Sequence, residues 1–83
     1  MRVDLALKYL CLAKSRSSVK TLCDKQLLTI NGRVAKPSAT LHIDDTITLE
    51  LQSRQLTIRV VDIPRKQLSK SIALSYYDVV TDQ

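Results

Sequence analysis

The sequence predicts an α+β domain: two short N-terminal helices packed on a small, mainly antiparallel sheet of about four strands, with a C-terminal helix. Three observations predict it. Apolar residues recur at helical spacing up to residue 25, alternate with polar ones from about 27 to 60, and return to helical spacing after 69. Asn31-Gly32 stands between two apolar runs, the strongest short hairpin signal because a type I′ turn needs φ > 0 at both central residues. The chain has 83 residues, 45% of them apolar, which is enough for one compact core and leaves nothing for a second.

The elements follow in order. Residues 4–12 read as a first helix, with Asp4 able to cap its opening N–H groups and Ala6, Leu7 and Leu10 on one face. Ser15 caps a second helix over 16–25, whose apolar stripe is Val19, Leu22 and Cys23. Leu28 and Ile30 alternate with Thr29 in a first strand. Lys36-Pro37-Ser38 is a loop, and Leu41 and Ile43 are expected to point one way in a second strand before Asp44-Asp45 turns the chain. Ile47, Leu49 and Leu51 alternate with Thr46, Thr48 and Glu50 in a third strand. Leu56, Ile58 and Val60 form a fourth, which Pro64 ends. Ser69 then caps a tail helix with Ile72, Ala73, Tyr76, Tyr77 and Val80 at i, i+1, i+4, i+5 and i+8. Aromatic residues are three tyrosines only, so the core is aliphatic.

Composition removes several functions. One glycine cannot build a phosphate loop or a dinucleotide fingerprint. Cys11, Cys23 and the single His42 lack the number and spacing of a structural zinc site, so neither metal nor cofactor is expected. No nucleophile has a base and a third orienting group, which argues against an enzyme. No run approaches the ~18 apolar residues of a membrane span, and Asp4 and Lys8 interrupt the only apolar N-terminal stretch. A cytoplasmic protein with two buried, reduced thiols is expected.

Charge points to a partner. The formal net charge is +5, and it is unevenly placed. Residues 1–36 carry eight basic and two acidic side chains, a net of +6, whereas residues 37–83 carry five basic and six acidic ones. Such sorting suits one face that meets a polyanion. Ser15, Arg16 and Ser17 stand at the start of the second helix, where free N–H groups and the helix dipole favour phosphate. Arg16 offers a bidentate fork and Lys20, one turn later, a point charge.

Arg2-Val3-Asp4, Leu12-x-x-Ser15-Arg16-Ser17-x-x-Lys20, Ile30-Asn31-Gly32, Lys36-Pro37-Ser38 and Ile43-Asp44-Asp45-Thr46-Ile47 occur in order and together resemble the RNA-binding domain named after the small-subunit ribosomal protein S-four. The resemblance covers residues 2 to about 51. It implies RNA-facing positions at Arg2, Lys14, Ser15, Arg16, Ser17, Lys20, Asn31, Gly32, Lys36 and Ser38, with Asp4 a helix cap or the partner of a nearby arginine. Residues 1–51 would be the RNA-binding core, and 52–83 a strand-and-helix extension of the same single domain. In that extension Thr57-Ile58-Arg59-Val60, the basic loop Arg65-Lys66 and Ser71-Ile72-Ala73-Leu74-Ser75-Tyr76-Tyr77 are similar to the end of the small stand-alone heat-shock-protein-fifteen and RqcP group of bacteria. That resemblance implies a non-catalytic protein, monomeric when free, that binds ribosomal RNA and peptidyl-tRNA on large ribosomal subunits during quality control or recycling of stalled subunits. The chain departs from the family pattern at Gln26 and Asp44, where glycine is usual, and at Leu27, where arginine is frequent. Alternatives are an accessory module acting in trans with an RNA-modifying enzyme, a helix-turn-helix DNA-binding protein, and a protein-interaction module built on the tail helix. Structured RNA competed against duplex DNA separates the ribosomal RNA-binding reading from the DNA-binding one.

Overall fold

A computed structural model describes all 83 residues. Helix α1 (Val3–Tyr9) and helix α2 (Arg16–Asp24) precede strands β1 (Leu28–Ile30), β2 (Arg33–Val34), β3 (Thr46–Leu51) and β4 (Arg54–Val60). A single-turn helix α3 (Lys70–Ala73) and a last strand β5 (Tyr77–Asp82) follow. The strands form one antiparallel sheet in the order β2-β1-β3-β4-β5. Alternation decides which side faces the helices: Ile47 and Leu49 of β3 and Leu56, Ile58 and Val60 of β4 are buried. They meet Val3, Ala6 and Leu7 of α1 and Val19 and Cys23 of α2 in one apolar cluster.

The α+β class stands, but three elements differ from the sequence expectation. First, α1 starts a residue earlier and ends three earlier than 4–12. Its cap position falls to Arg2, whose side chain caps nothing, and Asp4 lies buried in the first turn. Second, residues 41–43 form no strand. Leu41 is buried but Ile43 is 54% exposed, so the two do not share a face, and the only ladder contact nearby is the isolated bridge Arg2↔Thr40. The second strand is instead Arg33–Val34, paired to β1 through the hairpin.

Third, the tail is mostly strand, which makes the sheet five-stranded instead of four. The helix stops after Ala73, and Tyr77–Asp82 pairs along β4. Ile72 and Val80, which a long helix would turn inward, are 54% and 60% exposed. A four-residue helix has little stability of its own, whereas the β-branched run Val79-Val80-Thr81 suits the otherwise open side of β4. A register shift between Thr57 and Ile58 lets the strand keep pairing past Val80.

Asn31 (φ 53°) and Gly32 (φ 82°) take the left-handed conformations that their dipeptide predicts. The helix C-termini close alike. After α1, Leu12 N donates to Leu7 O at 3.0 Å and Cys11 N to Lys8 O at 3.1 Å; after α2, Leu27 N donates to Leu22 O at 2.8 Å and Gln26 N to Cys23 O at 3.0 Å. These are Schellman closures, and each places a non-glycine residue, Cys11 (φ 61°) or Gln26 (φ 60°), in the left-handed region. Its place in this turn leaves Cys11 exposed instead of buried as expected, while Cys23 on the inner face of α2 is buried. That conformation costs an L-residue about 1–2 kcal/mol, while glycine adds about 0.5–1 kcal/mol of entropy to lose on folding. Gln26→Gly is therefore expected to raise stability by up to about 1 kcal/mol, read as a higher thermal midpoint; a lowered midpoint would mean the Gln26 side chain itself stabilises the turn.

Candidate nucleic-acid interface

The chain's first residues are clipped to a later loop. Val3 N donates to Ala39 O (2.8 Å), Asp4 N to Pro37 O (3.2 Å) and Leu41 N to Met1 O (2.7 Å). This clip sets Arg2 and Asp4 beside Pro37 and Ser38. The turn between the helices swings the start of α2 onto the same place, and Arg2, Asp4, Arg16, Ser17, Lys20, Pro37 and Ser38 line one open cleft without a single apolar side chain except the proline.

Asp4 organises the cleft. Its side chain is only 5% exposed, while those of Arg2 and Arg16 are about half exposed, at 51% and 48%. Arg2 grips the carboxylate with two bonds, Nε to Oδ1 at 3.2 Å and Nη2 to Oδ2 at 3.0 Å. Arg16 reaches Oδ2 with Nε and Nη2, both at 3.4 Å, and Leu5 N–H donates to Oδ1 at 2.7 Å. Burial pushes this carboxyl's pKa upward. The Arg2 hydrogen bond, the Leu5 N–H and the charges of Arg16 and Arg2 outweigh it and hold Asp4 below the usual carboxylate value. A guanidinium has five donors, so each arginine keeps N–H groups free for an incoming anion while Asp4 fixes its plane.

The serines divide their duties. Ser15 Oγ accepts from Ser18 N at 3.2 Å and lies 2.9 Å from Ser17 Oγ, so it caps α2 as expected. Ser17 and Ser38 line the cleft. Lys20, one turn beyond Arg16, makes no ion pair.

The remaining sequence-predicted positions lie around this centre. Lys36 lines a neighbouring concavity with Arg33, and Ser38 borders both. Lys14 lines a third with Lys8 and Gln67. Asn31 and Gly32 form the hairpin tip outside the cleft. The Asn31 amide is occupied: Nδ2 donates to Asp45 Oδ1 at 3.0 Å, and Oδ1 accepts from Thr46 N at 2.9 Å, tying the tip to β3. Asp45 also accepts from His42 N at 2.8 Å, which holds the turn at Asp44, itself at φ 74°. The sequence leaves open whether Asp4 caps a helix or pairs with an arginine; in the structure it pairs with two. The lysine at position 8 carried no signal of its own, being one cation in an apolar helix.

Residues 1–47, more than half of the chain, match the S4 domain. The chain belongs to the S4 domain family. Its cleft lies within the matched residues. Two curated relatives span nearly its whole length, each called "RQC P-site tRNA stabilizing factor". The protein from Streptococcus pneumoniae is 27% identical over 82 residues, covering 99% of this chain and 92% of the relative. That from Halalkalibacterium halodurans is 26% identical over 83 residues, covering 100% and 93%. The solved trimeric structure of Vibrio cholerae Heat Shock Protein 15 aligns with a TM-score of 0.90 at 26% identity, covering 98% of this S4-family chain and 82% of its own.

Proposed function

We propose that this protein is a non-catalytic, cytoplasmic RNA-binding factor that acts on the large ribosomal subunit. There it stabilises peptidyl-tRNA against ribosomal RNA while stalled subunits are cleared. The observation that carries this reading is the pair of half-exposed arginines fixed on one buried carboxylate, Asp4, at a helix start. Cations held in place at a helix N-terminus suit the phosphates of a folded RNA more than the base edges of a duplex. The relatives named for P-site tRNA stabilisation, which match the chain end to end, give that RNA its class.

In this reading Arg2, Arg16, Ser17, Lys20 and Ser38 touch phosphate, and Lys14 and Lys36 extend the charged surface to either side. Ser15, Asn31 and Gly32 act by shaping the helix start and the hairpin. Residues 1–51 form the RNA-binding core and 52–83 an extension of the same domain. The protein works as a single copy, with no metal, cofactor or membrane.

Each phosphate neutralised releases counterions, so log affinity for transfer RNA is expected to fall linearly with log salt, with a slope of several units. Sedimentation of lysates should place the protein with free large subunits carrying peptidyl-tRNA. A flat salt plot, binding to duplex DNA as strong as to RNA, or sedimentation with small subunits alone would each overturn the proposal.

A further inference from the structure

The C-terminal half is net negative in sequence, yet its charges are sorted in space. Arg59 binds both Asp44 and Asp78, each at 2.6 Å, and Arg54 binds Asp82 at 3.6 Å. These pairs neutralise the outer strands. Arg65, Lys66 and Lys70 are exposed and take part in no ion pair. What the sequence average hides is a free cationic segment.

That segment is fastened to the helix layer. Leu68 N donates to Tyr9 O at 3.2 Å, and the Cys11 thiol donates to Leu68 O at 3.2 Å. Gln67 Nε2 reaches the same Leu68 carbonyl at 3.1 Å. Leu10, Leu68 and Ala73 are buried together in a second, smaller apolar cluster beneath it. Residues 65–70 are thereby held across the C-terminal end of α1, where Lys8 occupies the last turn, and Gln67 shares a concavity with Lys8 and Lys14. No acid occurs from residue 5 to 23 or from 63 to 77.

This concavity and the Asp4 cleft share no lining residue, but α1 and the turn into α2 connect them. Lys8 follows Asp4 by four residues on one face of α1, about 6 Å along the axis. Lys14 immediately precedes Ser15 and Arg16. We propose that Arg65, Lys66 and Lys70, together with Lys8 and Lys14, form a second phosphate-binding surface, so that one RNA runs from the Arg2–Arg16 cleft along α1 onto the C-terminal segment. The proposal rests on the RNA-binding reading above and extends it beyond the residues that match the S4 domain. RNA fits better than an anionic membrane, because Lys8 and Lys14 line a concavity that a phosphate backbone can enter and a planar bilayer cannot. Helix α3, with four residues, is also too short to lie as an amphipathic helix in a lipid interface.

The test uses the full chain with purified transfer RNA and purified large subunits. Phosphatidylcholine vesicles with and without phosphatidylglycerol are run alongside. Arg65→Gln/Lys66→Gln/Lys70→Gln is expected to weaken RNA binding at least about tenfold and to lower the salt slope by about two units. Lys8→Gln/Lys14→Gln, which approaches the same surface from the helix side, should act in the same direction and serves if the triple variant does not fold. Normal RNA binding by both variants, with Arg16→Ala still impaired, overturns the second surface and leaves the cleft intact. Wild-type protein that binds no RNA overturns both readings. Loss of binding to phosphatidylglycerol vesicles alone, with RNA binding unchanged, assigns the surface to a membrane and overturns the proposal.

Discussion

Arg16→Ala is expected to cut affinity for transfer RNA or large subunits at least about tenfold and to lower the salt slope by about one unit. A charge-assisted contact removed from a phosphate costs about 1.5–3 kcal/mol of binding. The fold should barely register the change. Arg16 is half exposed, its two bonds to Asp4 are long at 3.4 Å, and Arg2 still grips the carboxylate, so stability should shift by no more than about 0.5 kcal/mol. Arg54→Ala is the control: it removes the same charge from the protein, but from a side chain engaged with Asp82. Arg16→Lys separates charge from geometry, since lysine keeps the charge and loses the planar fork, and it should fall between wild type and alanine. Equal losses from Arg16→Ala and Arg54→Ala would mean that RNA is held by diffuse charge and that the cleft has no special part in it.

Leu7→Ala should act on the opposite quantity. Leu7 is fully buried where α1 meets the sheet, and truncating a leucine in such a place costs about 2–5 kcal/mol. A domain of 83 residues has roughly 4–12 kcal/mol in total at about 0.05–0.15 kcal/mol per residue. The variant should therefore melt at least about 8 °C lower, given 4–8 °C per kcal/mol for a domain of this size. The α1 closure survives the change, because it uses the Leu7 carbonyl, which accepts from Leu12 N and Ala13 N. RNA binding measured well below the melt should stay near wild type. A loss of stability under about 1 kcal/mol would show that the helix layer can collapse around the missing atoms.

The contrast between these variants follows what was legible in the sequence. Local signals with a single physical cause were read correctly: the Ser15 cap, the Asn31-Gly32 turn, and the alternation that buries Ile47, Leu49, Leu56 and Ile58. That a serine cap, an arginine and a lysine one turn on stand together at the start of α2 is legible because it needs no tertiary knowledge. The tail is not legible in the same way, because Ile72, Ala73, Tyr76, Tyr77 and Val80 fit a helical period by spacing alone. The vacancy beside β4, which turns Tyr77–Asp82 into a strand, is a property of the assembled sheet. Leu41 and Ile43 failed for the complementary reason. Two apolar residues at period two need a partner strand, and residues 41–43 have none in the sheet. Asp4 was seen as an acid near arginines, but its burial depends on the loop at 37–41, which no local pattern reveals.

That clip between the first residues and residues 37–41 also has a meaning in time. Arg2 and Asp4 are synthesised more than thirty residues before the loop that holds them, since Val3 N and Asp4 N donate to Ala39 O and Pro37 O and Met1 O accepts from Leu41 N. The first helix therefore cannot dock, nor the cleft close, until the segment that follows the hairpin has left the ribosome. Until then Arg2 and Arg16 lack the buried carboxylate that orients them. The order of synthesis thus completes the Arg2–Asp4–Arg16 cluster only after residues 37–41 have been made.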